Sequence, residues 1–445
     1  MRIRIFIGVI AMMVLAAAAI PERAAAQNAA QANQVQYNAI PLALDGGSAG
    51  IGTSLNDLGW VMGADNLPGD QTQVATVWLY GLKVPLGTLG GPNSGLAWPN
   101  HNDRGEFVGF SETATVDSLG ESWSCFAFIP AFVPTFDQCL AFIWKNGQMK
   151  ALPTLGGENG FGASINNAGQ AVGWAETTFQ DPTCVLPQVL QFLAVIWEPN
   201  GQVKILQPYA GDSDTAATAI NDSGQVVGIS GACDVAVGAT SAKNAVIWEN
   251  GEVVNIGNFG SAGWNTPTAI NRRGDVVGFM NVLPDTYTDG QLNPNFTAFL
   301  WTKEGGLVNL GTLEGDTQSS AWGINDFGQV VGQSFGGPNG PRAFIYENAK
   351  MTNLNSLLPA SSTLSLLIGQ DINDAGVITG QAFDSTTGLA PAYIALPSFG
   401  GTHASAAASA EAAGDAKTIV VPEIVRNQAI RRLPFKQVES KQAAQ

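Results

Sequence analysis

The stretch INDFGQVVG, residues 324–332, recurs as LNDLGWVMG at Asn56, HNDRGEFVG at Asn102, INNAGQAVG at Asn166, INDSGQVVG at Asn221, INRRGDVVG at Asn271 and INDAGVITG at Asn373. The steps between these asparagines are 46, 64, 55, 50, 54 and 48 residues, a mean of about 53, in the range of units that stack into propellers or solenoids. Around Asn325, the segments SAWGIN, QVVGQS, RAFIYEN and MTNLNSL are short, rich in β-branched and aromatic residues, and separated by Gly and Asn signals. They read as four strands, a to d. NDFG makes the a–b connection a tight hairpin, because its Asn and Asp bond nearby backbone and its Gly accepts a positive φ. The c–d turn is also short. The d–a connections pass a Gly-rich corner such as LGTLGG at Gly87 to Gly91, while the b–c connections vary widely in length, as surface loops on a fixed scaffold do.

The ends of the array test whether it is a ring or a rod. It begins at Val35 with VQYNAIPLALDGG, a strand d with no a, b or c before it, and ends at PAYIALP near Leu396, a strand c with no d behind it. If the first segment supplies the missing outer strand, every blade has four strands and few sheet edges stay exposed. The expected fold is therefore all-β: a seven-bladed β-propeller of four-stranded blades, the last closed by the N-terminal strand.

Strand c repeats as ATVW, AFIW, AVIW, AVIW, AFLW, AFIY and AYIA, ending at Trp78, Trp144, Trp197, Trp248, Trp301, Tyr346 and Ala395. With the LGTLGG corner, the units AFIW at Ala141 to Trp144 and AFLW at Ala298 to Trp301 carry a resemblance to the HAF family of extracellular repeat proteins, covering Val35 to Leu396. The resemblance implies secretion and a repeat fold, and it brings no catalytic residues. Tyr346 and Ala395 depart from its tryptophan. Regular spacing marks these aromatics as core rather than a ligand cage.

Outside the array, residues 1–26 read as a signal peptide, with Arg2 and Arg4, the apolar stretch Ile5 to Ile20, and Ala24 to Ala26 before Gln27. Residues 27–396 are the seven-repeat propeller, and 397–445 a flexible low-complexity tail. After signal cleavage no membrane span is expected. Cys125, Cys139, Cys184 and Cys233 fit an oxidising compartment, extracellular or periplasmic. Cys125 with Cys139 is the first pairing because the two flank one insertion, and Cys184 with Cys233 would then join adjacent blades. Between Gln27 and Leu396 the net charge is about −20, which argues against nucleic acid and anionic membranes as partners.

Chemistry-bearing residues are sparse. His101 stands where other copies have Ile or Leu and reads as a half-buried strand residue; His403 lies in the tail. The GxSxG matches at Ser48 and Ser334 lack a strand-to-helix elbow. The d–a corners and b–c loops share one face, and that face carries Asp45, Glu158, Asp212, Asp214, Glu314 and Asp316 with Trp123, Phe132, Phe136, Tyr209 and Trp264. Aromatic faces beside carboxylates suit sugar rings or peptides, so the expected ligand residues are Trp123, Trp264, Asp214 and Asp316. The Asn and Asp of the tight turns lack EF-hand spacing and need no metal. The leading expectation is a secreted, noncatalytic binding or scaffold propeller for a carbohydrate, peptide or extracellular protein, with no cofactor. The alternative is a secreted carboxylate-dependent hydrolase or lyase, for which calcium would be the cofactor.

Overall fold

A computed structural model describes residues 35–121, 123–129, 135–234, 238–261, 263–288 and 291–398, together with 420–423, 425, 426 and 429. The signal-peptide expectation and Phe132 lie outside these residues, as does most of the tail. The described residues form seven four-stranded antiparallel sheets, and each runs a-b-c-d from the axis outward. Blade 6 is typical, with Gln318–Ile324, Val330–Phe335, Arg342–Glu347 and Lys350–Asn353. Blade 7 takes Leu364–Ile372, Ile378–Asp384 and Ala392–Ser398, and its outer strand is Gln36–Pro41, near the beginning of the chain. Gln36 lies opposite Ser398 and Pro41 opposite Tyr393, so the ring closes as its unpaired ends predicted. Tyr37 is buried there among Leu366, Tyr393 and Ile345.

The sequence pattern follows from position in the blade. Strands b lie between neighbouring blades with both faces covered, so they read as continuous runs of apolar and small residues, whereas outer strands such as Lys350–Asn353 stay half exposed. The last Gly of INDFGQVVG has a specific cause. Strand a bulges between Ala321 and Gly323, which drives the Ser320 carbonyl to 2.1 Å from where a Cβ on Gly332 would stand. Gly228 meets the Ala216 carbonyl at 2.0 Å in the same way. A side chain at either position would break the a–b pairing.

Three of the strand c tryptophans, Trp78, Trp197 and Trp248, pack as core and also bond the end of the preceding blade. Indole Nε1–H donates to the carbonyl of Ala43 from Trp78 (3.0 Å), of Pro153 from Trp197 (2.9 Å) and of Gln207 from Trp248 (2.8 Å). Each acceptor follows strand d of the blade before, so one residue type seals two blades. Both expected disulfides are present, Cys125–Cys139 and Cys184–Cys233. Among the described residues, no helix is long and apolar enough to cross a membrane.

Candidate functional site at the channel mouth

The ring has two unlike faces. On the loop-rich face, the insertion of blade 2 folds inward through a 3-10 turn, Ser124–Phe128. Phe128 contacts Trp98, Phe110 and Phe161, with ring centroids 6.4, 5.9 and 5.2 Å away. Trp98 of blade 2 and Trp322 of blade 6 approach to 5.9 Å. Those blades are not neighbours, so the two indoles meet across the axis and the channel is filled at this level.

The packing buries the residues expected to meet a ligand. Trp123 is 3% exposed and packs edge-on against Phe192, and Trp264 is 7% exposed and packs edge-on against Phe296. Asp214 is fully buried: Oδ1 accepts from the Phe192 N–H at 2.8 Å and Oδ2 from the Ser213 hydroxyl at 2.5 Å. Burial and, after it, neighbouring Asp181 push its carboxyl up to about 7. Asp316 is bonded by Arg342 at 2.7 Å. These four side chains are buried and hold blades and loops together. Three of the other corner acids are also bonded, Asp45 to Lys83, Glu158 to Ser118 and Gln138, and Asp212 to Ser230 and Asn244, whereas Glu314 is exposed.

At the opposite face the channel is open, and its mouth is made by the tight a–b turns. The Nδ2–H of each motif asparagine donates to the backbone carbonyl of the next, from Asn56 to Asn102, Asn166, Asn221, Asn271, Asn325, Asn373 and back to Asn56, at 2.9 to 3.1 Å. The Oδ1 atom caps its own turn; that of Asn325 accepts from Phe327 and Gln329 N–H at 3.1 and 3.0 Å. A closed circuit of seven side-chain amides thus fixes the rim.

The next residue of each turn points its side chain to the mouth: Asp57, Asp103, Asn167, Asp222, Arg272, Asp326 and Asp374. Some of these carboxylates also tie blades together, since Asp326 Oδ1 accepts from the Arg272 N–H and Asp374 Oδ1 from the Asp326 N–H, both at 2.9 Å. The Arg272 guanidinium lies across the opening. It reaches Asp57 at 2.8 Å, Asp326 at 3.0 Å, Asp374 at 3.5 Å and Asp222 at 3.9 Å, and its side chain is 53% exposed. Asp103 Oδ1 is buried without a partner.

Below the rim, Leu55, Ile220, Ile270, Ile324 and Ile372 line an apolar wall interrupted by His101. Its Nε2 lies 3.1 Å from Asp371 Oδ2, a buried carboxylate that also accepts from the Leu55 N–H at 2.8 Å. Burial pushes the imidazole pKa down, but Asp371 outweighs it and holds the group above its ordinary value. His101 therefore keeps its proton to higher pH, which suits a cation and ill suits a general base. The free volume is about 50 Å³, room for a small polar group or a few waters and too little to enclose a sugar ring. On the rim, Phe327 is 72% and Leu58 42% exposed. Among the described residues, no group of three His, Cys, Asp or Glu side chains is arranged to hold a metal ion.

From the sequence these turns belong to the fold, and no role in binding is expected of them. The available signal was an acid after the asparagine in five of seven copies, with one arginine among them.

No family model matches the chain, and no curated protein does. Solved structures with a similar course include a selenomethionine-substituted virginiamycin B lyase from Staphylococcus aureus, at 10% identity and a TM-score of 0.44, covering 82% of this chain and 99% of that one. A dipeptidyl peptidase 4 from Porphyromonas gingivalis matches at 10% identity and a TM-score of 0.29, covering 74% of this chain and 43% of that one. A protein of unknown function from Bacteroides thetaiotaomicron matches at 8% identity and a TM-score of 0.30, covering 82% and 98%. Likeness at this level carries no reaction or ligand to this chain, whose β-propeller architecture rests on its own sheet order.

Proposed function

We propose that this chain is a secreted, noncatalytic binding or scaffold propeller that holds a peptide or protein by a basic group seated in the mouth at the tight-turn face. One observation carries the reading: carboxylates of four different blades already converge on a guanidinium, that of Arg272. Five turn carboxylates face one arginine, so the mouth keeps a negative excess even with His101 protonated, and a lysine or arginine from outside would be attracted. Exposed Phe327 and Leu58 offer apolar contact beside it, as a peptide needs and a free ion does not. The disulfides fit an extracellular or periplasmic location, and the HAF resemblance implies secretion as well.

The rival reading, a carboxylate-dependent hydrolase or lyase, draws on the His101–Asp371 pair in the cavity. A retained imidazole proton leaves it able to donate and poorly able to abstract.

The test is a titration of lysine- and arginine-containing peptides into the disulfide-bonded protein. Binding should weaken steeply with salt, fall at least tenfold in Asp57→Asn/Asp326→Asn/Asp374→Asn, and survive Trp264→Ala. Binding lost in Trp123→Ala/Trp264→Ala, with unchanged melting and no response to the three aspartate changes, would return the site to the loop-rich face.

A further inference from the structure

Strand c of blade 7 runs from the loop-rich face to the tight-turn face and ends at Ser398, yet later residues return to the face it came from. Val421, Val425 and Ala429 pack on Ala49, Leu367, Phe383 and Ala390. Val425 and Ala429, four residues apart, share one side of a helix, and Val421 just precedes it. A helical turn starts at Pro422, whose carbonyl accepts from the Val425 and Arg426 N–H groups at 3.0 Å each, and a proline's fixed φ suits such a start. Arg426 Nη1 donates to the Pro338 carbonyl in the b–c loop of blade 6 at 3.2 Å.

The seat lies over the joint that closes the ring. Ala49 belongs to blade 1 and the other three residues to blade 7, and the strands meet there through Gly50 N–H to Ala390 O at 3.0 Å and Ala390 N–H to Ser48 O at 2.9 Å. Between Ser398 and Val420 lie 21 residues, with a maximal reach of roughly 70 Å. The distance to cross is about the length of the seven-residue strand, roughly 23 Å. The covalent link therefore does not dictate where the segment sits, and its contacts do.

We propose that this groove is a docking site for a short amphipathic helix, which the chain's own C-terminal segment fills in cis and which a partner helix of the same chemistry fills in trans. The partner carries β-branched or small residues at i, i+4 and i+8 and an arginine after the second of them. The body's charge of about −20 favours a basic helix. A tether of this kind gives an effective concentration on the order of millimolar, so the groove is masked in the resting chain and an outside helix must outbind its own segment. This docking is independent of the channel mouth, on the other face.

The test uses the full chain and a labelled peptide of residues 418–432. Val425→Asp/Ala429→Asp in the chain alters the tail alone and leaves the seven sheets untouched. The peptide should bind this variant at least tenfold more tightly than the unaltered chain, and a peptide carrying Val425→Asp should lose at least tenfold. Trypsin should cut after Arg426 faster in the variant. Equal peptide binding to both chains, or equal binding of both peptides, would overturn the proposal.

Discussion

At the scale of single residues, the motif asparagine carries more than its turn. A turn alone would accept Asp in its place, since a carboxylate also caps the N–H groups two and four residues on. All seven copies have Asn, because only an amide also donates to the next blade. That invariance was legible in the sequence, whereas its partner, a carbonyl some 50 residues away, was not. Asn221→Asp should keep the caps and lose the donation to the Asn271 carbonyl, costing about 1–3 kcal/mol. Asn221→Ala should cost more, and chemical denaturation of both variants checks the order. Glu176 gives a pH prediction. Burial first, and Glu121 second, push its carboxyl from 4.5 up to about 9. Gln188 Nε2 bonds both carboxyl groups, at 3.1 and 3.2 Å. A pKa raised on folding means stability present in full below 4.5 and lost as pH rises towards 9. The chain should therefore melt at progressively lower temperature between those values, and Glu176→Gln should flatten that slope; a slope unchanged in the variant would place the titrating group elsewhere.

At the scale of elements, strands were legible and loop courses were not. The orphan strand d at Val35 and orphan strand c at Leu396 each lacked a complement, and edge pairing is a rule general enough to join them across the whole chain. Deleting Gln31 to Leu42 should expose the edge of Ala392–Ser398 and uncover Tyr393, lowering the melting temperature strongly; an unchanged melting curve would contradict the closed ring. By contrast, the burial of Trp123 and Trp264 in the loops is not legible in the sequence. A strand's place in the blade decides on which face its loop emerges. Whether that loop stands out or turns inward depends on what fills the axis, here Trp98, Trp322 and Phe128, whose meeting across the ring leaves no periodic trace. The tail shows the same limit: its composition indicated a linker, and the spacing of Val421, Val425 and Ala429 was the overlooked sign of a docked face. The insertion's staple was readable because Cys125 and Cys139 flank one segment. Replacing both by serine removes a cross-link spanning 14 residues and should cost about 3 kcal/mol, measured by denaturation of the oxidised protein against the variant.

At the scale of the whole molecule, one face is sealed by aromatic packing and by the chain's own insertion, and the other ends in an acidic mouth crossed by one arginine. The two ends therefore differ in chemistry as well as shape, and the carboxylates at the open end favour the approach of positive charge. The asymmetry was half legible: loop lengths told the faces apart, but variable loops suggested that the shaped site lay among them. Here they instead close the channel, and the uniform turns, held in register by the amide circuit, make the open site. If that site receives a basic group, Arg272 competes with it. Affinity of a lysine- or arginine-bearing peptide for Arg272→Ala, measured at low and high salt beside the unaltered protein, is the most direct test. Binding should be several-fold to tenfold tighter in Arg272→Ala at low salt, with the gain shrinking as salt rises. Weaker binding in Arg272→Ala, or a gain indifferent to salt, would contradict this role for the mouth.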